Sequence, residues 1–199
     1  GTTTVTGTLS RALTSELRVP FEVGGTADSN DRTVTPAAVG NAKRELKFPA
    51  GQTTATISVA VIDDSLAEGD ETVTVTLSTN VTAYTLGSAN SSVIKIKDND
   101  AVSVGFTVAK VDVWEDGTEL IVTARLSNPS ASALSVPISV SSSTVNGYAS
   151  RPADFSMSTT DFDFPANVTE VTRTIQIIND ALNEPNEQFT IALLPTTAS

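Results

Sequence analysis

The chain contains no cysteine and no histidine. That removes thiol nucleophiles, disulfides, imidazole bases and the usual ligands of structural zinc. Aromatic residues make up only 5%. A core must therefore be filled by Val, Ile, Leu and Ala, which suits the thin layers of a β-sandwich. Positive charge is also scarce: 12 Lys and Arg stand against 23 Asp and Glu, a net charge of −11. Nucleic acid is excluded as a partner class, because phosphate binding needs clustered basic residues. An anionic membrane surface is disfavoured on the same ground. No apolar run approaches the roughly 20 residues of a membrane-spanning helix, so no membrane insertion is expected. No secretory leader is recognisable, as expected of a mature, excised or cytosolic chain.

What is present fits one large domain or two of about 100 residues. Hydrophobic residues reach 39% of the 199, too many for global disorder. The acidic surface makes cations its natural partners, and with His and Cys absent these are hard, oxygen-ligated cations.

The sequence repeats itself. Val5-Thr-Gly-Thr-Leu-Ser aligns with Val122-Thr-Ala-Arg-Leu-Ser at an offset of 117, and Leu17-Arg-Val-Pro20 with Leu134-Ser-Val-Pro137. From Phe48-Pro49-Ala50 and Phe164-Pro165-Ala166 onward the offset is 116. It then holds for Glu68 and Glu184, Glu71 and Glu187, and Leu77 and Leu193. One residue of slippage in a loop is the expected cause. Two homologous domains follow, 1–100 and 101–199, with the junction at Asp98-Asn99-Asp100.

Period-two alternation predicts strands at Thr54–Ile62, Thr72–Leu77 and Val93–Lys97, then at Val102–Val108, Glu119–Leu126, Val136–Val140, Val171–Ile178 and Phe189–Leu193. Turn signals such as Pro49-Ala-Gly51, Asn128-Pro129 and Asn146-Gly147 separate them. The expected fold class is all-β, two tandem immunoglobulin-like Greek-key antiparallel β-sandwiches. A strand over Val102–Val113 has no counterpart in the first repeat, and Ser92–Lys97 has none in the second. The first repeat is therefore expected to be short of its first strand and the second of its last. Trp114 and Phe48, Phe155, Phe162, Phe164 and Phe189 are expected to pack in cores or interfaces. Sequons occur at Asn80, Asn90 and Asn167, and in a chain so rich in Thr and Ser chance explains them as well as glycosylation does.

Two acidic stretches carry the chemistry: Asp63-Asp64-Ser-Leu-Ala-Glu68-Gly-Asp70-Glu71, and Lys97-Asp98-Asn99-Asp100. Both follow alternating strands, so both are expected in loops at a sandwich pole. Carboxylates gathered there repel one another by about 1 kcal/mol or more per close pair, and a bound cation relieves this. Many hard oxygens favour Ca²⁺ over Mg²⁺.

A strand, then Asp-Asp-x-x-x-Glu-x-x-Glu, a strand ending in Leu, and a last strand closing on Asp-Asn-Asp together resemble the Calx-beta domain. Gly25-Thr26-Ala27 with Asp31, and Ala153-Asp154-Phe155, fit another segment of that family. The resemblance covers nearly the whole chain as two copies. It implies calcium ligands at Asp31, Asp63, Asp64, the Leu66 carbonyl, Glu68, Glu71, Asp98 and Asp100 in the first repeat. In the second it implies Glu115, Asp154, Asp180, Glu184 and Glu187. Asn179 departs from the pattern, standing where the first repeat has Asp63, and the first repeat, with both acidic loops, is expected to bind more tightly.

The function expected is a non-enzymatic, calcium-binding structural or adhesive module of a larger extracellular or cell-surface protein. Its partners are calcium ions and neighbouring repeats, with self-association through exposed strand edges as a further expectation. The alternatives are a calcium-sensing regulatory pair and a strand-exchanging fibre subunit. An enzyme using an Asp154–Glu187 dyad is the reading least supported, since few aromatics are available to stack sugars.

Overall fold

A computed structural model of the chain describes residues 1–38, 43–79, 82–117, 119–141, 149–151, 153–158 and 161–195. Asn80 and the Asn146-Gly147 turn lie outside the described residues. Within them every regular element is a β-strand. The residues group into two compact units: Gly1–Asp64 with Gly69–Asp98, and Asn99–Ser199 with the short segment Ser65–Glu68.

The first unit holds β1 (Thr2–Thr8), β2 (Leu17–Gly25), β3 (Arg32–Thr35), β4 (Arg44–Phe48), β5 (Thr54–Val61), β6 (Glu71–Leu77) and β7 (Ser91–Ile96). They form two antiparallel sheets ordered β1-β5-β3 and β4-β2-β6-β7. The second unit holds β8 (Val104–Phe106), β9 (Glu119–Leu126), β10 (Leu134–Ser141), β11 (Phe155–Ser156), β12 (Asp161–Phe164), β13 (Glu170–Ile177) and β14 (Thr190–Leu193). Its sheets run β11-β13-β9-β8 and β12-β10-β14. Both units are immunoglobulin-like Greek-key sandwiches, in which β1 to β6 and β9 to β14 alternate between two sheets, while β7 joins the sheet of β6 and β8 that of β9.

Strand alternation explains the cores. In β5, Ile57 and Val59 are buried while Thr54 and Thr56 face water. The first core adds Val19 and Phe21 from β2, Leu46 and Phe48 from β4, and Val73 and Val75 from β6. Both sheets thus contribute to one apolar layer. In the second unit Phe155, Phe162 and Phe164 are buried, as their alternation predicts. Phe106 meets Phe162 edge-on across the sandwich with ring centres 5.9 Å apart, and Phe155 stacks on Phe189 at 4.1 Å.

The ladders repeat along with the sequence. Leu17 pairs with Phe48 and Leu134 with Phe164; Phe21 pairs with Leu77 and Ile138 with Leu193. The single loop slip expected from sequence is not what the register shows. Arg32 pairs with Val61 and Phe155 with Ile177, so Phe155 lies 123 residues after Arg32. The offset thus rises from 117 to 123 between β2 and β3, then falls to 116 by β4. Two loops of the second unit changed length in opposite senses and nearly cancelled. Equal total spacing hid this in the sequence.

Two other expectations change. The strand expected over Val102–Val113 is confined to Val104–Phe106. Beyond it, Val108, Val111 and Val113 are exposed, because no described strand pairs with that segment to bury an alternate face. Trp114 does not join the core: it is 84% exposed.

Gly25 ends β2 with φ +109°, and a Cβ there would stand 2.1 Å from the Thr72 carbonyl oxygen. Neither the conformation nor the space admits a side chain. Gly25→Ala is expected to destabilise the first unit by roughly 1–3 kcal/mol, measured by urea denaturation. An unchanged midpoint would show that this backbone approach carries no constraint.

Candidate metal centre

The approach at Gly25 has a purpose in the local architecture. It brings Thr26 beside Thr72, where the Thr72 N–H donates to the Thr26 hydroxyl at 2.9 Å and the Ala27 N–H donates to the Thr72 carbonyl at 3.1 Å. The loop that follows is thereby latched to the start of β6, next to Glu71. A second latch closes it, since the Ile62 N–H donates to the Asp31 carbonyl at 2.8 Å. The second unit repeats both contacts: Ala149 N–H to the Gln188 carbonyl at 3.0 Å, and Ile178 N–H to the Asp154 carbonyl at 2.9 Å. Asp31 and Asp154 are therefore held by the same backbone device in each repeat, although 123 residues separate them.

The side chains converge accordingly. Asp31, Glu68 and Glu71 each offer a carboxylate oxygen within 4.8 Å of the others. Asp154, Glu184 and Glu187 do the same within the second unit. These are the same three positions of the repeat. The second unit extends its set, because Glu115, Asp180 and Glu184 form another such trio. Glu184 belongs to both, so all five carboxylates expected as ligands there come together.

Electrostatics mark the second cluster. Burial, and then the charges of Asp154, Asp180 and Glu115, push the Glu184 carboxyl above its ordinary value. Glu187 is raised likewise, by burial first and then by Asp154 and Glu184. Both groups remain largely solvent-facing. Like charges without a counter-cation hold the proton more tightly.

The remaining sequence-predicted positions are not part of these converged sets. Asp63 and Asp64 are exposed just beyond β5, Leu66 is half-buried in the same loop, and Asp98 and Asp100 are half-buried beyond β7. An ion pair that sequence reading missed also sits here. Asp70 meets Lys95 of β7 at 2.5 Å, and that hydrogen bond is the main cause of its lowered pKa. The two residues are 25 apart in sequence, and only the β6–β7 ladder brings them together.

The donor set is all oxygen, anionic and clustered at strand ends. Its chemistry fits a hard divalent cation with six to eight ligands, which Ca²⁺ accepts and Mg²⁺ does not readily adopt. The carboxylates would hold the ion, and backbone carbonyls and water would complete its shell.

The Calx-beta domain model matches the chain twice, over residues 2–100 and 97–198. The chain belongs to the Calx-beta family. Its resemblance to that family, drawn from the acidic loops and the Gly-Thr-Ala segment, is thus established over nearly its whole length. Among curated proteins this Calx-beta pair is 30% identical over 165 residues to FRAS1-related extracellular matrix protein 2 of Homo sapiens. That match takes in 77% of the chain and spans only 5% of the relative's length. Among solved structures it is similar to the calcium binding domain CBD12 of CALX1.1, at 21% identity and a TM-score of 0.40, covering 90% of this chain and 70% of that one. CBD12 from CALX1.2 is similar at 22% identity and a TM-score of 0.41, covering 89% and 68%.

Proposed function

We propose that the chain is a non-enzymatic calcium-binding module, two Calx-beta repeats at residues 1–100 and 101–199 that serve as a structural or adhesive segment of a larger extracellular protein. The observation that carries this reading is the recurrence of one carboxylate trio in both repeats, Asp31/Glu68/Glu71 and Asp154/Glu184/Glu187. A single acidic trio on a surface is commonplace. The same three positions meeting twice, behind the same backbone latches, is a built feature. The extracellular placement draws support from the matrix-protein relative.

In this account the ion neutralises the clustered charge and ties the loops before β3 and β6 together, stiffening the sandwich pole. Neighbouring repeats are the mechanical partners. Asp154 and Glu187 offer carboxylate oxygens within 4.8 Å of each other.

Isothermal titration calorimetry with calcium, against a chelated control, tests the reading. An extracellular spacer is expected to show a dissociation constant in the range of about 10⁻⁴–10⁻³ M. A micromolar constant would favour a regulatory sensor, and no heat at all would sink the calcium assignment.

Acidity gives a second check. In the calcium-free fold the Glu184 and Glu187 pKa values are raised. Their contribution to stability is therefore present below the unfolded-state value and is lost as pH rises through the folded one. Calcium must displace those protons, so its affinity is expected to fall steadily as pH drops into the raised carboxylate range. Calcium titrations at neutral pH and at pH about 5 compare the two states directly. An affinity that does not weaken on acidification would argue against Glu184 and Glu187 as ligands.

A further inference from the structure

The turn between β12 and β13 repeats a turn of the first unit with one change of residue type. In the first unit Pro49-Ala50-Gly51 leads β4 into β5, with Gly51 at φ +79°. The Gln52 N–H donates to the Pro49 carbonyl at 3.0 Å and the Gly51 N–H to the Leu13 carbonyl at 2.8 Å. In the second unit, 116 residues on, Pro165-Ala166-Asn167 makes the same turn. The Val168 N–H donates to the Pro165 carbonyl at 3.1 Å and the Asn167 N–H to the Ser130 carbonyl at 2.8 Å. Asn167 takes φ +64° and is the only non-glycine residue with positive φ among the described residues. A left-handed backbone costs most residues with a Cβ roughly 1–2 kcal/mol; asparagine tolerates it better than most, and glycine adopts it freely. Asn167 thus stands where the turn itself favours glycine. It also opens the triplet Asn167-Val168-Thr169, whose hydroxyl residue two places on completes the acceptor pattern for N-linked sugar.

We infer that Asn167 is an attachment site for an N-linked oligosaccharide. The donor class is an oligosaccharide carried on a polyisoprenoid pyrophosphate. A bond forms between the Asn167 Nδ2 and the anomeric carbon of the sugar, and the bond from that carbon to the pyrophosphate oxygen breaks. The lipid pyrophosphate leaves with the electron pair, and one Nδ2 proton passes to a base of the transferase. Geometry favours this position. Pro165, Ala166, Asn167 and Val168 are all exposed, and a side chain at the equivalent Gly51 would meet no atom within 4 Å. A bulky hydrophilic group is accommodated on such a surface. Asn90, the other described sequon residue, is placed differently. It is half-buried, and its Nδ2 donates to the Gly87 carbonyl at 3.3 Å. Its partner hydroxyl residue, Ser92, lies within β7 opposite Val75. The turn and the metal centre lie at opposite ends of β13, whose eight residues span roughly 25 Å, so sugar on Asn167 leaves the carboxylates free. The inference rests on the extracellular reading of the chain, which is what brings it to the transferase.

The test directs the intact chain into the secretory pathway of cultured animal cells with an added leader. Peptides from the cell-associated and secreted protein are then read by mass spectrometry, before and after enzymatic removal of N-linked sugar in heavy-oxygen water. Sugar on Asn167 in most molecules is expected, with the heavy-oxygen mark at that residue after removal. Thr169→Ala should abolish it, and Thr169→Ser should retain it. Asn167→Gly should also abolish it while keeping the fold, because Gly51 already makes this turn in the first unit. Calcium titration of the sugar-bearing chain and of Asn167→Gly should give the same dissociation constant. The added leader supplies the delivery, so a bare Asn167 overturns the site without bearing on the extracellular reading, and the calcium titration tests that reading separately. A folded chain whose Asn167 carries no sugar, or one with sugar on Asn90 and none on Asn167, would make Asn167 a turn residue only and overturn the assignment.

Discussion

Calcium at about a hundred times its dissociation constant is expected to stabilise an occupied unit by about 2.7 kcal/mol. For domains of this size each kcal/mol moves the melting temperature by about 4–8 °C. A shift on the order of 10–20 °C over the EDTA-treated chain follows, read by calorimetry. Two transitions are expected, because each unit has its own core. Glu187→Gln should remove the calcium shift from the second unit alone, since Glu187 belongs to that unit's cluster. In EDTA the same variant should be no less stable than the parent, because it removes one of several mutually repelling carboxylates. That combination separates a ligand from a structural residue: loss of a structural side chain lowers the calcium-free melting point, and loss of a ligand does not. Glu71→Gln should produce the mirror result in the first unit.

The second large effect is in the core. Phe162 is fully buried, meets Phe106 edge-on and lies beneath Arg173, whose guanidinium carbon stands 5.6 Å from the ring centre. That arginine is fixed by hydrogen bonds to the Asp161 carbonyl at 2.9 Å and to Asp163 at 3.0 Å. Phe162→Ala removes the ring from between the two sheets and leaves a cavity that rigid ladders cannot close. A loss of roughly 3–5 kcal/mol is expected, by chemical denaturation, in the second transition only. The first unit should melt unchanged. A shared loss would mean that the two units do not unfold independently.

Much of this was legible in the sequence because β structure is local in period and the chain is repeated. Alternation in Thr54–Val61 or Glu170–Ile177 fixes which side chains face the core. The duplication then fixes which positions matter in both copies. Asp154 could be read from the Ala-Asp-Phe segment, although no constant offset from Asp31 leads to it. What stayed hidden depends on loops and ladders. Compensating changes on either side of β3 and β11 left one apparent slip in the alignment. Trp114 reads as a core residue by type, yet it lies past the end of a strand only three residues long. The pairing of Asp70 with Lys95, and the Thr26–Thr72 latch, need a strand register that composition does not contain. The convergence of Glu115 with Asp180 and Glu184 is likewise a fact of folding, since Glu115 precedes β9 while Asp180 and Glu184 follow β13.

Calcium binding at the recurring carboxylate trio is read out by an anomalous-scattering map from crystals grown with calcium. A calcium peak is expected within about 2.3–2.6 Å of carboxylate oxygens from Asp154, Glu184 and Glu187. Calcium-loaded crystals whose map shows no peak at this trio, with its carboxylates splayed into solvent, would contradict it.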